Sequence, residues 1–259
     1  MAGAVQLDIE GPIATITNSN PDKHNAFDDE MDAQLFDVLA ELKAHRDVRA
    51  VIWRGEGRSF SSGRDVSSIG NLKVDLTHHE LMRRGHRGIQ QLWDLDAPVL
   101  VACKGWVMGG SFQRALLCDI RVAAEGTTFR LPEATYGVIP DTGGVGVLFQ
   151  MCGHGLTSDL VLTGRPLSAE EALAHGIVSR VVADSELDGT VREMAEQIAA
   201  APAVTIKMAR EVVRQLSIPQ LRSAMSAEMI LQTFINRSDD FAEMRAALAE
   251  GRSPHYTGS

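Results

Sequence analysis

A chain of 259 residues, 44% hydrophobic and 23% charged, can bury one large core or one core with an appendage. Its formal net charge of −9 argues against nucleic acid and an anionic membrane surface as partners, leaving any anionic ligand to local cations and helix N-termini. Cys103, Cys118 and Cys152 are odd in number and sit among apolar residues, so they read as reduced core thiols of a cytoplasmic protein rather than a disulfide framework.

The N-terminal stretch lacks a basic segment followed by an apolar run, so no signal peptide is expected. No run reads as long and apolar enough to span a bilayer. Residues 5–10 (VQLDIE) and 13–18 (IATITN) read as strands around a Gly11-Pro12 turn. Residues 28–45 open with acids and place Met31, Leu35, Val38, Leu39 and Leu42 on one helical face. A compact strand at 49–55 leads into a loop at 56–70, and helical spacing returns at 78–95. Further strands are expected at 98–105 and 119–124, with a short helix after Gly109-Gly110 between them. Strands followed by helices in this order indicate an α/β core. From Ser168 the texture changes. Ser168 and Glu171 form a capping-box pattern and Gly176 a stop. One last strand at 177–182 is followed only by helices, at 184–201, 202–216, 218–235 and 238–251. Met225, Met229, Ile230 and Phe234 make an apolar side that fits either core packing or contact with another subunit.

Several segments carry no site. The residue four after His79 is Arg83, so HHELMRRGH lacks a zinc-binding pair, and no metal site is expected. The glycines of GGVGVLF (143–149) do not have dinucleotide-binding spacing. Two loops remain, SFSSGRDV (59–66) and GWVMGGSF (105–112). On neighbouring strands, each could offer one backbone N–H to a common point, forming an oxyanion hole. Adjacent glycines also open the second helix, where unpaired N–H groups and the helix dipole favour an anion. A third segment, FRLPEATYGVIPDTGG (129–144), sets Glu133 after Pro132 and Asp141 after Pro140. Two carboxyls brought together by a turn can divide proton work. On residues alone, both acids fit equally as N-caps of short helices.

In this order, NSNPDKHNAF, SFSSGRDV, KGWVMGGSFQRALLCDIRVAA, LPEATYGVIPDTGG, LTGRPLSAEEALAHGIVSRVV and AEGRSPHY resemble the enoyl-CoA hydratase/isomerase (crotonase) superfamily over essentially the whole chain. The resemblance implies a spiral of β-β-α turns over residues 1–190, carrying coenzyme A thioester binding and catalysis. A C-terminal helical oligomerisation region follows at 191–259, assembling a homotrimer or dimer of trimers. It implies no permanently bound cofactor, coenzyme A being part of the substrate. The amides of Arg64 and Gly110 would hold the thioester oxygen, with glycine at 110 because a Cβ there would obstruct that oxygen. His24, Ala26, Ser62, Gly63, Asp65 and Val66 would line the coenzyme track, with Met108, Gly109, Pro132 and Pro140 beside the substrate. Lys23, Arg58 and Arg252 stand near the implied phosphates but also fit as ordinary surface cations.

Family hydratases use two glutamates. Glu133 matches one of them, whereas the other position holds Gln113, a neutral amide that cannot act as a base. Asp141 occupies the place where several family isomerases carry a catalytic aspartate. The resemblance therefore implies a double-bond isomerase in which Glu133 and Asp141 shuttle a proton and Gln113 orients substrate. Two alternatives are a hydratase using Glu133 with water held by Gln113, and a non-catalytic thioester-binding oligomer.

Overall fold

The computed structural model describes residues 3–68 and 77–258. In chain order the elements begin with β1 (Ala4–Glu10), β2 (Ile13–Ser19), α1 (Asp29–Ala44), β3 (Ala50–Gly55), α2 (His78–Asp94), β4 (Val99–Cys103), β5 (Trp106–Met108) and α3 (Gly109–Leu117). They continue with β6 (Ile120–Ala124), β7 (Thr128–Arg130), α4 (Gly144–Thr163), β8 (Leu167–Ser168), α5 (Ala169–Ala174), β9 (Arg180–Val182), α6 (Leu187–Ala200), α7 (Ala203–Ile235) and α8 (Asp239–Glu250).

Local chemistry accounts for the helix starts. Asp28 caps α1 by accepting from the Met31 amide, and the expected apolar face of that helix is buried. Thr77 and Glu80 form a complete capping box on α2. At α5 only half of the expected box forms. Ser168 accepts from the Glu171 amide, but the Glu171 carboxylate turns to Arg165, 2.6 Å away, where a charged partner outcompetes a backbone N–H.

β1, β2, β3, β4, β6 and β9 form one sheet in that order, parallel except for the β1–β2 hairpin. β5, β7 and β8 form a second, smaller sheet. The chain therefore steps from the large sheet to the small one and then into a helix, as in β4–β5–α3 and β6–β7–α4. The 27 and 61–64 segments take the small sheet's place in the earlier turns through bridges Phe27–Arg64 and Ser61–Val107. This is the spiral of β-β-α turns. One face of the large sheet packs with α1 to α5 around Trp53, Phe112 and Phe129, and the opposite face buries Leu187, Val191 and Ala195 of α6. The expected boundary at residue 190 thus falls inside α6, which belongs to the sheet by packing.

Two further expectations are revised. α4 has the length and mean hydropathy, 1.2, of a membrane-crossing segment. Its helical geometry breaks at Gly153, where φ is 72°, and Val147, Leu148, Thr157 and Leu160 are buried against the protein. The two helices expected at 202–216 and 218–235 are one, α7, with Pro219 inside it. Proline in a helix interior costs about 3 kcal/mol. Packing of Leu221 and Met225 on Gly143, together with polar contacts farther along, holds the helix through that position. The apolar side expected on α7 divides. Met225 joins the core, whereas Ile230 and Phe234 face outward, Phe234 with 75% of its surface exposed.

Candidate active site

The loop after β3 lies alongside β5. Ser61 donates to Trp106 O and accepts from Met108 N, both at 3.0 Å. On its other side, Phe27 N donates to Gly63 O and Asp65 N to Phe27 O, at 2.8 and 2.7 Å. In a parallel bridge of this pattern the flanking groups are used, so the N–H of Arg64 points away from Phe27. A Cβ on Gly63, where φ is 90°, would stand 2.7 Å from Met108 O, so only glycine lets the two loops approach this closely. Arg64 and Gly110 both line one cavity of about 450 Å³, and among the described residues neither backbone N–H has a hydrogen-bond partner. Gly110 opens α3, at the positive end of its dipole. Glycine is demanded at the first position of the pair, since Gly109 has φ 54°. A Cβ on Gly110 would meet Thr142 Oγ1 at 3.4 Å, so the protein's own packing does not by itself demand glycine at the second position.

The side chain of Arg64 turns away to α1, pairing with Asp29 and, at 3.0 Å, with Asp32. Arg114 of α3 completes the network, 2.6 Å from Asp32 and with its guanidinium 5.0 Å from the centre of the Phe27 ring. Four charges thus tie the Arg64 loop to two helices. The sequence offered Asp29 and Asp32 only as first-turn acids of α1.

Glu133 and Asp141 both line the cavity. Neither caps a helix. The 3-10 turn at Glu133–Tyr136 is preceded by Pro132 and α4 by Gly143, neither with a side-chain cap bond. Glu133 Oε1 accepts from Gln113 Nε2 at 2.8 Å, and Oε2 is buried with no partner among the described residues. Burial, reinforced by the charge of Asp141, raises the Glu133 pKa to about 7. Burial likewise raises Asp141 to about 6, against the opposing pull of Arg114. Gln113 itself is 0% exposed and does not line the cavity. Its Oε1 accepts from Thr142 N at 2.9 Å, so the amide ties Glu133 to the Asp141 loop. Gly144 makes this packing possible, because a Cβ there would overlap Gln113 Cα at 2.5 Å.

Four side chains from three helices hold the loop bearing Asp141. Gln232 Oε1 accepts from Ile139 N at 3.0 Å, Gln113 takes Thr142 N, and Glu228 Oε2 accepts from Gly143 N at 2.9 Å. His86 Nε2 donates to Asp141 O at 2.8 Å, and burial lowers its pKa, keeping the ring neutral. Glu228 is 6% exposed, 3.9 Å from His86 Nε2, and its burial raises its pKa to about 8. Sequence reasoning missed His86, Glu228 and Gln232. A signal existed. Leu221, Met225, Glu228 and Gln232 fall on one face of α7, so the helical period marks two polar residues as buried.

The structure brings together Ser62, Gly63, Val66, Met108, Gly109 and Pro132 with the four residues named above at the cavity wall. It leaves His24, Ala26, Asp65 and Pro140 outside it. His24 Nδ1 lies 2.9 Å from Ser59 Oγ, and Ala26 O accepts from Asn20 Nδ2. Asp65 is engaged by Lys23 at 2.8 Å, and Pro140 is buried. Arg252 is held by Glu243 and Glu250, remote from the cavity. His24, Asp65 and Arg252 thus have polar partners within the protein. Among the described residues no group of three or more His, Cys, Asp or Glu is arranged to hold a metal.

The Enoyl-CoA hydratase/isomerase family model matches residues 8–259. A carnitinyl-CoA dehydratase of Salmonella paratyphi A is 34% identical over 263 residues, spanning 100% of each chain. A solved enoyl-CoA hydratase/isomerase from Pseudoalteromonas atlantica T6c superposes with a TM-score of 0.88 at 26% identity, covering 98% of this chain and 100% of the other. An enoyl-CoA hydratase subunit from Geobacillus kaustophilus HTA426 gives 0.77 at 27% identity, covering 99% and 98%. With a family match across nearly its whole length, two loop amides free at one cavity and a pair of acids beside them, this chain belongs to the enoyl-CoA hydratase/isomerase family.

Proposed function

We propose that the protein is an acyl-CoA double-bond isomerase. The amides of Arg64 and Gly110 donate to the thioester oxygen and stabilise the enolate formed when a neighbouring carbon loses its proton. Asp141, whose ionised form is favoured by the charges of Arg114 and Arg64, serves as the base. Glu133, with a pKa of about 7, keeps its proton and serves as the acid. For a 3-enoyl thioester, Asp141 takes the proton from C2, the double bond moves from C3–C4 to C2–C3, and Glu133 delivers a proton to C4. Composition is unchanged, and the two carboxyls exchange their proton between turnovers. The observation that carries this reading is the pairing of Glu133 and Asp141 at one cavity. Glu133 Oε2 is left without a partner among the described residues, and the second hydratase carboxylate is replaced by Gln113.

The alternative of water addition draws support from the relative named carnitinyl-CoA dehydratase. Against it, Gln113 stands behind the cavity wall with both ends of its amide engaged, so it is poorly placed to hold water. A panel of 3-enoyl, dienoyl and 2-enoyl thioesters in deuterated buffer separates the readings. Isomerisation with deuterium incorporation is expected, and Asp141→Asn should slow it by roughly 10²–10⁴-fold. Rapid 3-hydroxyacyl formation from crotonyl-CoA without isomerisation would refute the proposal, as would binding with no deuterium exchange. We also infer self-association into a homotrimer or a dimer of trimers through the helical region. Support comes from the outward-facing Val204, Val212, Leu216, Ile230 and Phe234 of α7, a large apolar surface for one helix.

A further inference from the structure

We propose that Gly85 of α2 opens a lateral bay in the cavity that receives a branch or ring of an apolar acyl group, making it the residue that limits acyl bulk. This rests on the thioester reading above. α2 presents Leu81, Met82, Arg84, Gly85, His86 and Ile89 to the cavity. At about 100° per residue these positions cover roughly half of the helix circumference, with Gly85 at the middle of the arc. The helix also carries Gly88, and each interior glycine costs about 1 kcal/mol relative to alanine.

The two glycines answer to different neighbours. A Cβ on Gly88 would stand 2.2 Å from the Phe36 ring, so the protein's own packing accounts for it. A Cβ on Gly85 would meet no described atom within 4 Å, although the residue lines the cavity. No described neighbour requires a glycine there, and what it preserves is empty space between Met82 and Ile89. His86, next in sequence, binds Asp141 O, so α2 runs along the side of the cavity that holds Asp141. Phe36, Leu81, Val138 and Phe241 give the same cavity an apolar wall that suits hydrocarbon, with Arg84, Asn236 and Arg245 among its polar lining. A width gained sideways along a helix suits a branch or ring better than a longer straight chain.

The test uses two non-reacting saturated thioesters, cyclohexylacetyl-CoA and butyryl-CoA, titrated calorimetrically into the whole protein. Circular dichroism confirms folding of each variant. One methylene in an apolar pocket is worth about 10–200-fold, so Gly85→Leu should cut the affinity ratio of the ring compound to the straight one by roughly 100-fold. Gly85→Ala should cut it by about 10-fold and raise the unfolding midpoint, alanine being the better helix former. An unchanged ratio in folded Gly85→Leu overturns the inference and leaves the isomerase reading intact. Wild-type protein that binds both compounds with the expected ratio but moves no double bond overturns the isomerase reading alone. Binding of neither compound overturns both.

Discussion

Glu228 sets up a stability experiment whose sign and size follow from its surroundings. Its carboxyl accepts from Gly143 N on one oxygen and buries the other without a partner among the described residues. Its pKa is raised from the ordinary 4.5 to about 8 by burial, with a smaller push from Asp141. A folded-state pKa above the unfolded one means that the folded protein holds the proton longer. The resulting penalty is nearly absent below pH 4.5, grows as pH rises from there, and is complete above pH 8. At about 1.4 kcal/mol per pH unit the full penalty is roughly 5 kcal/mol, against less than about 1 kcal/mol at pH 5. Glu228→Gln keeps an oxygen for the Gly143 amide and cannot ionise. It should therefore be close to neutral at pH 5 and stabilising by roughly 4 kcal/mol at pH 9. Urea unfolding of both proteins at the two pH values measures this directly. Asp141, Glu133 and His86 remain in both proteins, so their own titrations largely cancel in the comparison. A stability difference independent of pH would refute the reasoning, since Glu228 would then be ionised, and paired, across the whole range.

The same logic applied to the reacting pair predicts a narrow bell in kcat/KM. The rate rises as Asp141 ionises through about pH 6 and falls as Glu133 loses its proton through about pH 7, and a flat profile between pH 5 and 8 would exclude this division of roles. Sedimentation equilibrium should give three or six times the chain mass of 28.0 kDa, and a concentration-independent monomer would exclude self-association through α7.

Much of the fold is legible because its determinants are local. The hairpin around Gly11-Pro12, the buried face of α1 and the start of α3 at Gly109-Gly110 follow from alternation, helical period and turn chemistry, which act over a few residues. Ordered motifs along the chain likewise marked the two glycine-rich loops and the acids Glu133 and Asp141. Local rules failed where long-range contacts outweigh them. Pro219 should stop a helix and does not, and Glu171 should reach back to its own helix start and turns instead to Arg165. α6, which spans residue 190, covers one face of the large sheet, a contact between distant segments.

What the sequence determined by itself was which groups can titrate and which cannot. Gln113 is neutral in any fold, and no arrangement makes it a base. Tertiary structure decided how those groups behave. Glu133 and Asp141 have ordinary carboxyl chemistry in water, and only burial at a shared cavity brings them near neutral pH. The helical tail, expected to serve assembly, also reaches the site, where Glu228 and Gln232 hold the loop of Asp141. Burial and contact between distant segments depend on the folded path of the whole chain, so no window of sequence contains them.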